Sequence, residues 1–268
     1  MGKLKVTFLG TGTSQGVPVI ACPCSVCASE DSKDKRLRCS ILMTINNDNY
    51  VVDSGPDFRQ QMLANNVQFI EGLLFTHAHK DHVAGMDDVR AFNFKQKRAL
   101  PVYCDSIVEK ALKREFYYIF EEHTYPGVPR IELNLIDNEP IILSGEKVTP
   151  IEVMHYKLPV KAFRVGDFTY ITDAKTVSET EREKIKGSKI LVVNALRKEE
   201  HISHFNLDQA LQFIKEMQPE QAYLTHISHL FGTHNEIEKL LPDNVHVAYD
   251  GLTLSMDCLL YTSDAADE

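Results

Sequence analysis

Hydrophobic positions along this chain fall in short runs and one-sided stripes, never in a long block. Strand-like runs open at "KVTFLGTG" (5–12), "SILMTI" (40–45) and "YVVDSG" (50–55). "PDFRQQMLANN" (56–66) starts with Pro in a helix-compatible position and sets Phe58, Met62 and Leu63 at helical spacing. "EGLLFTHAHKDH" passes from an apolar strand straight into histidines. Then follow "LPVYC", a helix near 106–120, strands near 131–136, 141–143 and 147–155, and "VKAFRVGDFTYITDAK", which reads as two strands joined at a Gly166–Asp167 turn. Alternation takes over after that: helix 178–186, strand "KILVVNAL", helix 207–217, strand "QAYLTH", helix 235–241, strand "VHVAYDG". Leu207, Ala210, Leu211, Ile214 and Met217 share one stripe, the pattern of a helix covering a sheet. Strands interleaved with helices predict an α/β sandwich with helices outside and functional residues at strand ends. No low-complexity linker or fixed repeat interrupts this, so one domain is expected over residues 1–257.

Composition narrows the setting. The 268 residues are 43% hydrophobic, enough for a sizeable core. No apolar run of about 18 residues occurs, so no membrane span is expected. The start, "MGKLKVTFLG", reads as a first strand and not as a signal peptide. Six cysteines are too few for a disulfide scaffold in a chain of this size, which points to the cytoplasm. The last eleven residues, "CLLYTSDAADE" (258–268), match one reading frame of a transposase sequencing adapter and are expected to be a non-native tail. Setting aside Asp264, Asp267 and Glu268 takes the net charge from −9 to −6. The balance stays acidic, which argues against non-specific nucleic-acid binding.

The densest chemistry is "THAHKDHVAG". His77, His79, Asp81 and His82 put four potential ligands within six residues, directly after an apolar strand. Alternate side chains of an extended segment share a face, so His77 and His79 can grip one ion, and a turn then brings Asp81 and His82 toward a second. Imidazole and carboxylate suit Zn²⁺ or Mn²⁺.

This His-x-His-x-Asp-His stretch resembles the metallo-β-lactamase superfamily. The resemblance covers residues 4–255 and implies a four-layer αββα sandwich. It supplies later ligands in order: His155 in "PIEVMHYKLP", Asp173 in "YITDAK" and His226 in "AYLTHISH", with Asp53 in "YVVDSG" bracing the histidine loop from behind. The implied site holds one metal on His77, His79 and His155 and another on Asp81, His82 and His226. Asp173 and a hydroxide bridge the two. Two such ions suit hydrolysis of a phosphoryl or acyl centre. "HISHFNLDQAL" is similar to the phosphodiesterase branch, where a His ahead of a helix meets the phosphate and assists the leaving group; His204 matches it, and His201 is assigned no role. The helix start near Leu207 offers amide N–H groups that an anion could use.

"ACPCSVCA" carries Cys22, Cys24 and Cys27. Three thiols cannot pair among themselves, and Zn²⁺ wants four tetrahedral ligands. His229, Cys39 and His234 are candidates for the fourth. Cys39 and Cys104 also read as small apolar core residues. A reactive redox site would need a basic neighbour, and none precedes Lys33. "GTGTSQGVPVIACPCSVC" with "LTHISHLFG" resembles the family of phosphoribosyl 1,2-cyclic phosphate phosphodiesterases of the carbon–phosphorus lyase pathway, which implies a structural zinc on the three cysteines and His229. A cofactor-synthesis protein of the pyrroloquinoline quinone pathway is similar here too. Aromatics over 92–125, with His123, read chiefly as core.

Together these imply a dinuclear metal-dependent phosphodiesterase with a small diester or cyclic phosphate substrate, in which a metal-bridging hydroxide attacks phosphorus. His204 and Asp81 are the expected catalytic side chains, and the resemblance suggests a homodimer. The rivals are a tRNA 3′-end-type endoribonuclease, which the acidic balance disfavours, and a non-catalytic metal sensor built on the cysteines.

Overall fold

The computed structural model describes residues 2–121 and 125–258. His123 and residues 259–268 of the expected tail lie outside the described residues. The strands are β1 (Gly2–Gly10), β2 (Ser40–Ile45), β3 (Asp48–Val52), β4 (Gly72–Leu74), β5 (Leu100–Cys104), β6 (Ile131–Leu135), β7 (Ile141–Leu143), β8 (Glu146–His155), β9 (Leu158–Val165), β10 (Phe168–Tyr170), β11 (Ile190–Asn194), β12 (Gln221–Thr225), β13 (Val245–Val247) and β14 (Thr253–Cys258). The helices are α1 (Ser25–Ala28), α2 (Phe58–Ala64), α3 (Lys80–Val83), α4 (Arg90–Gln96), α5 (Ser106–Glu115), α6 (Glu179–Ile185), α7 (Leu207–Met217) and α8 (His234–Glu238).

Two seven-stranded mixed sheets result, ordered β14-β1-β2-β3-β4-β5-β6 and β13-β12-β11-β10-β9-β8-β7. Strand alternation sorts the apolar side chains between layers. Leu4, Val6 and Phe8 of β1 with Ile41, Met43 and Ile45 of β2 face the second sheet's Phe163, Val165, Tyr170 and Val192. Leu9 and Leu42 point the other way, onto Phe58 and Met62 of α2. On the far side, Leu207, Ala210, Phe213, Ile214 and Met217 of α7 cover Leu191, Val193, Ala222 and Leu224. This is the αββα sandwich expected, with Phe213 joining the stripe.

Some elements differ from the pattern. Helix α5 stops at Glu115, because Phe116 leaves helical geometry at φ −117°, ψ 39° and a 3-10 turn follows over Tyr117–Ile119. Strand β14 is an edge strand in which exposed Thr253 and Ser255 alternate with the half-buried Leu254 and Met256, a weak signal. It runs to Cys258, whose backbone pairs with Gly2, so the boundary read at 257 falls inside this strand. No helix among the described residues is long and apolar enough to cross a membrane.

Candidate metal centre

The site gathers at the carboxyl ends of β3, β4, β10, β11 and β12, with β8 closing one side. Asp53 follows β3 in the left-handed region, at φ +66°. One of its carboxylate oxygens accepts from the Thr76 amide (2.8 Å); the other accepts from the Thr76 hydroxyl (2.8 Å) and lies 2.7 Å from His82 Nδ1. Both Asp53 and His82 are fully buried. A proton on His82 Nδ1 therefore faces Asp53, and Nε2 is left without a hydrogen-bond partner in the interior. That nitrogen sits 3.2 Å from Asp81 and 3.3 Å from Asp173. Burial opposes a charge on His82, but the carboxylates of Asp53, Asp173 and Asp81 outweigh it and hold its pKa well above the usual value. Burial pushes the Asp173 carboxyl up, yet the imidazoles of His226 and His82 prevail and hold it well below the usual range.

Asp173 is the hub. It closes with His77 and His82, and with His155 and His204, into sets whose donor atoms lie within 4.8 Å of one another. His226 Nδ1 is 3.2 Å from the same carboxylate. Asp81, His82 and His226 form another such set. His77 Nε2 and His79 Nδ1 stand 2.9 Å apart, and the His155 ring lies 5.1 Å from that of His79. His155 Nδ1 donates to the Ser203 carbonyl (2.8 Å), which turns Nε2 away from that bond. Asp173 and His226 both take left-handed backbone, at φ +56° and +57°, local strain of the kind that collects at functional sites. Imidazoles of His77, His79, His82, His155 and His226 and the carboxylates of Asp81 and Asp173, with the buried His82 Nε2 unpartnered among them, form a donor set that fits divalent cations.

His204 stacks on His226 with ring centroids 4.9 Å apart, and it is 7% exposed. Burial lowers its pKa to about 3, so the ring is neutral. The α7 start is not open to an anion as expected. Leu207 N–H donates to the Arg197 carbonyl (3.0 Å), and the Asn206 side chain caps the Gln209 amide (3.0 Å).

The cysteine stretch forms a second cluster. Cys22, Cys24 and Cys27 close with His229, whose Nδ1 is 3.2 Å from Cys22 Sγ and 3.4 Å from Cys24 Sγ. The Cys27 amide and His229 pull the Cys24 thiol down to about 6, while burial pushes Cys27 up to about 11. Of the other candidates for a fourth ligand, Cys39 lies in the core against Tyr170 and Thr225, and the His234 ring packs edge-on against Tyr249. Cys104 is buried and its thiol is pushed up to about 12, which fits its reading as core.

Several contacts carried no sequence signal. The Thr13 hydroxyl meets His226 Nε2 at 3.2 Å, the Thr76 hydroxyl meets His77 Nδ1 at 3.0 Å, and the Ser203 carbonyl orients His155.

Residues 48–227 match the family model for the beta-lactamase superfamily domain. The crystal structure of a new diphosphatase from the PhnP family superposes over 96% of this chain and all of that one, with TM-score 0.90 and 34% identity. The chain belongs to the beta-lactamase superfamily and, within it, to the PhnP family. The clustered donors give a chain of that fold a site suited to divalent metals. The Zn²⁺-bound PqqB of Methylobacterium extorquens, at 19% identity and TM-score 0.75 over 93% of this chain and 99% of its own, shares the fold. An octanoyltransferase of Porphyromonas gingivalis is 36% identical over 95% of this chain. This chain spans about half (52%) of that relative's length, so the transferase name describes a longer protein.

Proposed function

We propose that the chain is a phosphodiesterase acting on a small cyclic phosphate or phosphodiester, of the phosphoribosyl 1,2-cyclic phosphate kind. The observation that carries this reading is the convergence of His77, His82, His155, His204 and His226 on one buried carboxylate, Asp173. Two divalent ions, Zn²⁺ or Mn²⁺, on His77, His79 and His155 and on Asp81, His82 and His226, with Asp173 shared, would acidify water and neutralise charge developing at phosphorus. The chain's own groups do the rest. Asp53 fixes the His82 tautomer, and the Ser203 carbonyl fixes that of His155. Asp81 and Asp173 orient the attacking oxygen by accepting its hydrogen bonds. His204, held neutral, donates an N–H bond to a phosphoryl oxygen, a contact worth most where charge builds up in the transition state. This refines the leaving-group role: a ring with a pKa of about 3 is a weak source of protons until an anion binds beside it.

The PhnP-family structure supports a phosphorus centre, because a diphosphatase acts on one. The endoribonuclease reading has only fold-level likeness behind it, since the human short-form tRNase Z is 17% identical. Cys22, Cys24, Cys27 and His229 would hold one structural Zn²⁺. The cytoplasm is the proposed compartment, in keeping with free thiols at these positions.

The test is turnover of bis(4-nitrophenyl) phosphate by metal-stripped and metal-loaded protein. Loading should restore activity, and His204→Ala should lower kcat by about 10²–10³ without loss of bound metal. Unchanged turnover in that variant would remove His204 from the reaction.

A further inference from the structure

Among the described residues, His201 is the one histidine beside the site that the proposed reaction does not use. It sits on a tightly tied loop between β11 and α7. The Arg197 guanidinium donates to the Glu200 carbonyl (2.8 Å), and the Asn206 amide side chain donates to the Lys198 carbonyl (3.1 Å). The Leu196 amide donates to the Phe205 carbonyl (3.0 Å). The same loop supplies Ser203, which orients His155, and His204 itself. A rigid loop that already positions two site imidazoles positions a third at little added entropy cost.

The His201 ring lies 5.2 Å from that of His204, tilted 35° to it, on the outer side, where it is half-buried and not enclosed. Its Nδ1 accepts the Ser203 amide N–H (3.3 Å) and faces the Ser203 hydroxyl (3.2 Å). An amide can donate only to an unprotonated ring nitrogen, so the proton resides on Nε2. His201 thus presents a fixed N–H donor one imidazole further from the Asp173 hub than His204. The proposed reaction sets His204 against a phosphoryl oxygen, so a group that meets His201 is one step further from Asp173.

We infer that His201 is a specificity-determining residue, whose Nε2–H reads an acceptor oxygen on the leaving group one unit beyond the scissile phosphoryl. The substrate class is one whose leaving group carries such oxygens, as a second phosphoryl group or a sugar hydroxyl does. A 4-nitrophenyl leaving group offers only weakly accepting nitro oxygens, at the far end of its ring. The inference rests on the phosphodiesterase reading. A site that donates to an acceptor favours a leaving group that supplies it, because a leaving group lacking it displaces water from the N–H without replacing that bond.

The experiment compares kcat/KM on ADP-ribose, 2′,3′-cyclic AMP and bis(4-nitrophenyl) phosphate for wild type, His201→Ala and His201→Gln in the metal-loaded full chain. His201→Ala should cut the preference for the better of the two oxygen-rich substrates over the aryl diester by about 10–100-fold, chiefly through KM. His201→Gln, which keeps an N–H donor, should restore a large part of it. The substrate with the greater drop identifies a phosphoryl or a hydroxyl as the group read. Equal losses on all three substrates, no loss, or no rescue by Gln would overturn the inference and leave the phosphodiesterase reading intact. A wild type that turns over none of the three would overturn both.

Discussion

At the scale of single residues, Asp53 does more than its distance from the hub suggests. Buried and bonded to Thr76 and His82, it decides which nitrogen of His82 faces Asp81 and Asp173. Asp53→Ala should weaken metal binding by about 10–100-fold, read by competition with a chromophoric chelator, while His77 and His79 stay in place. Asp250 carries the clearest pH signature outside the site. Burial pushes its carboxyl up to about 6, against the Leu37 amide and the Thr11 hydroxyl, which favour its charged form. Because the folded pKa exceeds the unfolded one, the stability it contributes is full below about pH 4 and is lost as pH rises through 6. The stability of wild type relative to Asp250→Asn, from urea unfolding, should therefore fall by about 1–3 kcal/mol between pH 4 and 7. A flat difference would contradict this. The donor cluster at 77–82 was legible because four potential ligands, three imidazoles and a carboxylate, crowd six residues. Asp53, His155, Asp173 and His226 were reachable only by resemblance, since each is a lone polar residue at a strand end. Thr13, Thr76 and Ser203 gave no signal at all, because a hydroxyl or a carbonyl acquires its role only from what folding brings beside it.

At the scale of elements, two joints set the geometry. Gly55, just after β3, packs against the ligand loop so closely that an added Cβ would meet the Asp81 carbonyl oxygen at 2.0 Å. Gly55→Ala should cost about 1–3 kcal/mol by overpacking and should move Asp81, so thermal melting and bound-metal content should fall together. A lowered Tm with full metal content would separate the two. The cysteine cluster is the other joint. Ile227 joins Gly12 and Thr13 to the end of β12, and His229, three residues after His226, reaches the thiols. His229→Ala should release one equivalent of metal and speed proteolysis within residues 14–30, leaving every donor around Asp173 unaltered. Most strands and α7 were legible because apolar periodicity survives wherever one face is buried. The ends of α5 and β13, and all of β14, were not. There a half-exposed edge, or a backbone turn at Phe116, decides the boundary, and neither leaves an apolar period.

At the scale of the whole molecule, the αββα layering followed from strand–helix alternation together with the superfamily resemblance, because two sheets can bury their facing sides only if helices cover the outer ones. The same architecture serves many chemistries, so the fold leaves the reaction open and the donors around Asp173 carry the claim. The claim is a metal-dependent attack on phosphorus. Its most direct test is one panel on a single preparation, stripped of metal and then loaded with Zn²⁺ or Mn²⁺: cyclic nucleotides, a ribose cyclic phosphate, a diphosphate diester, an acyl thioester and a precursor tRNA. The account predicts metal-dependent hydrolysis of one or more of the small phosphate esters, with the thioester and the tRNA untouched. Hydrolysis of the thioester alone, or phosphate ester turnover that persists without metal, would contradict it.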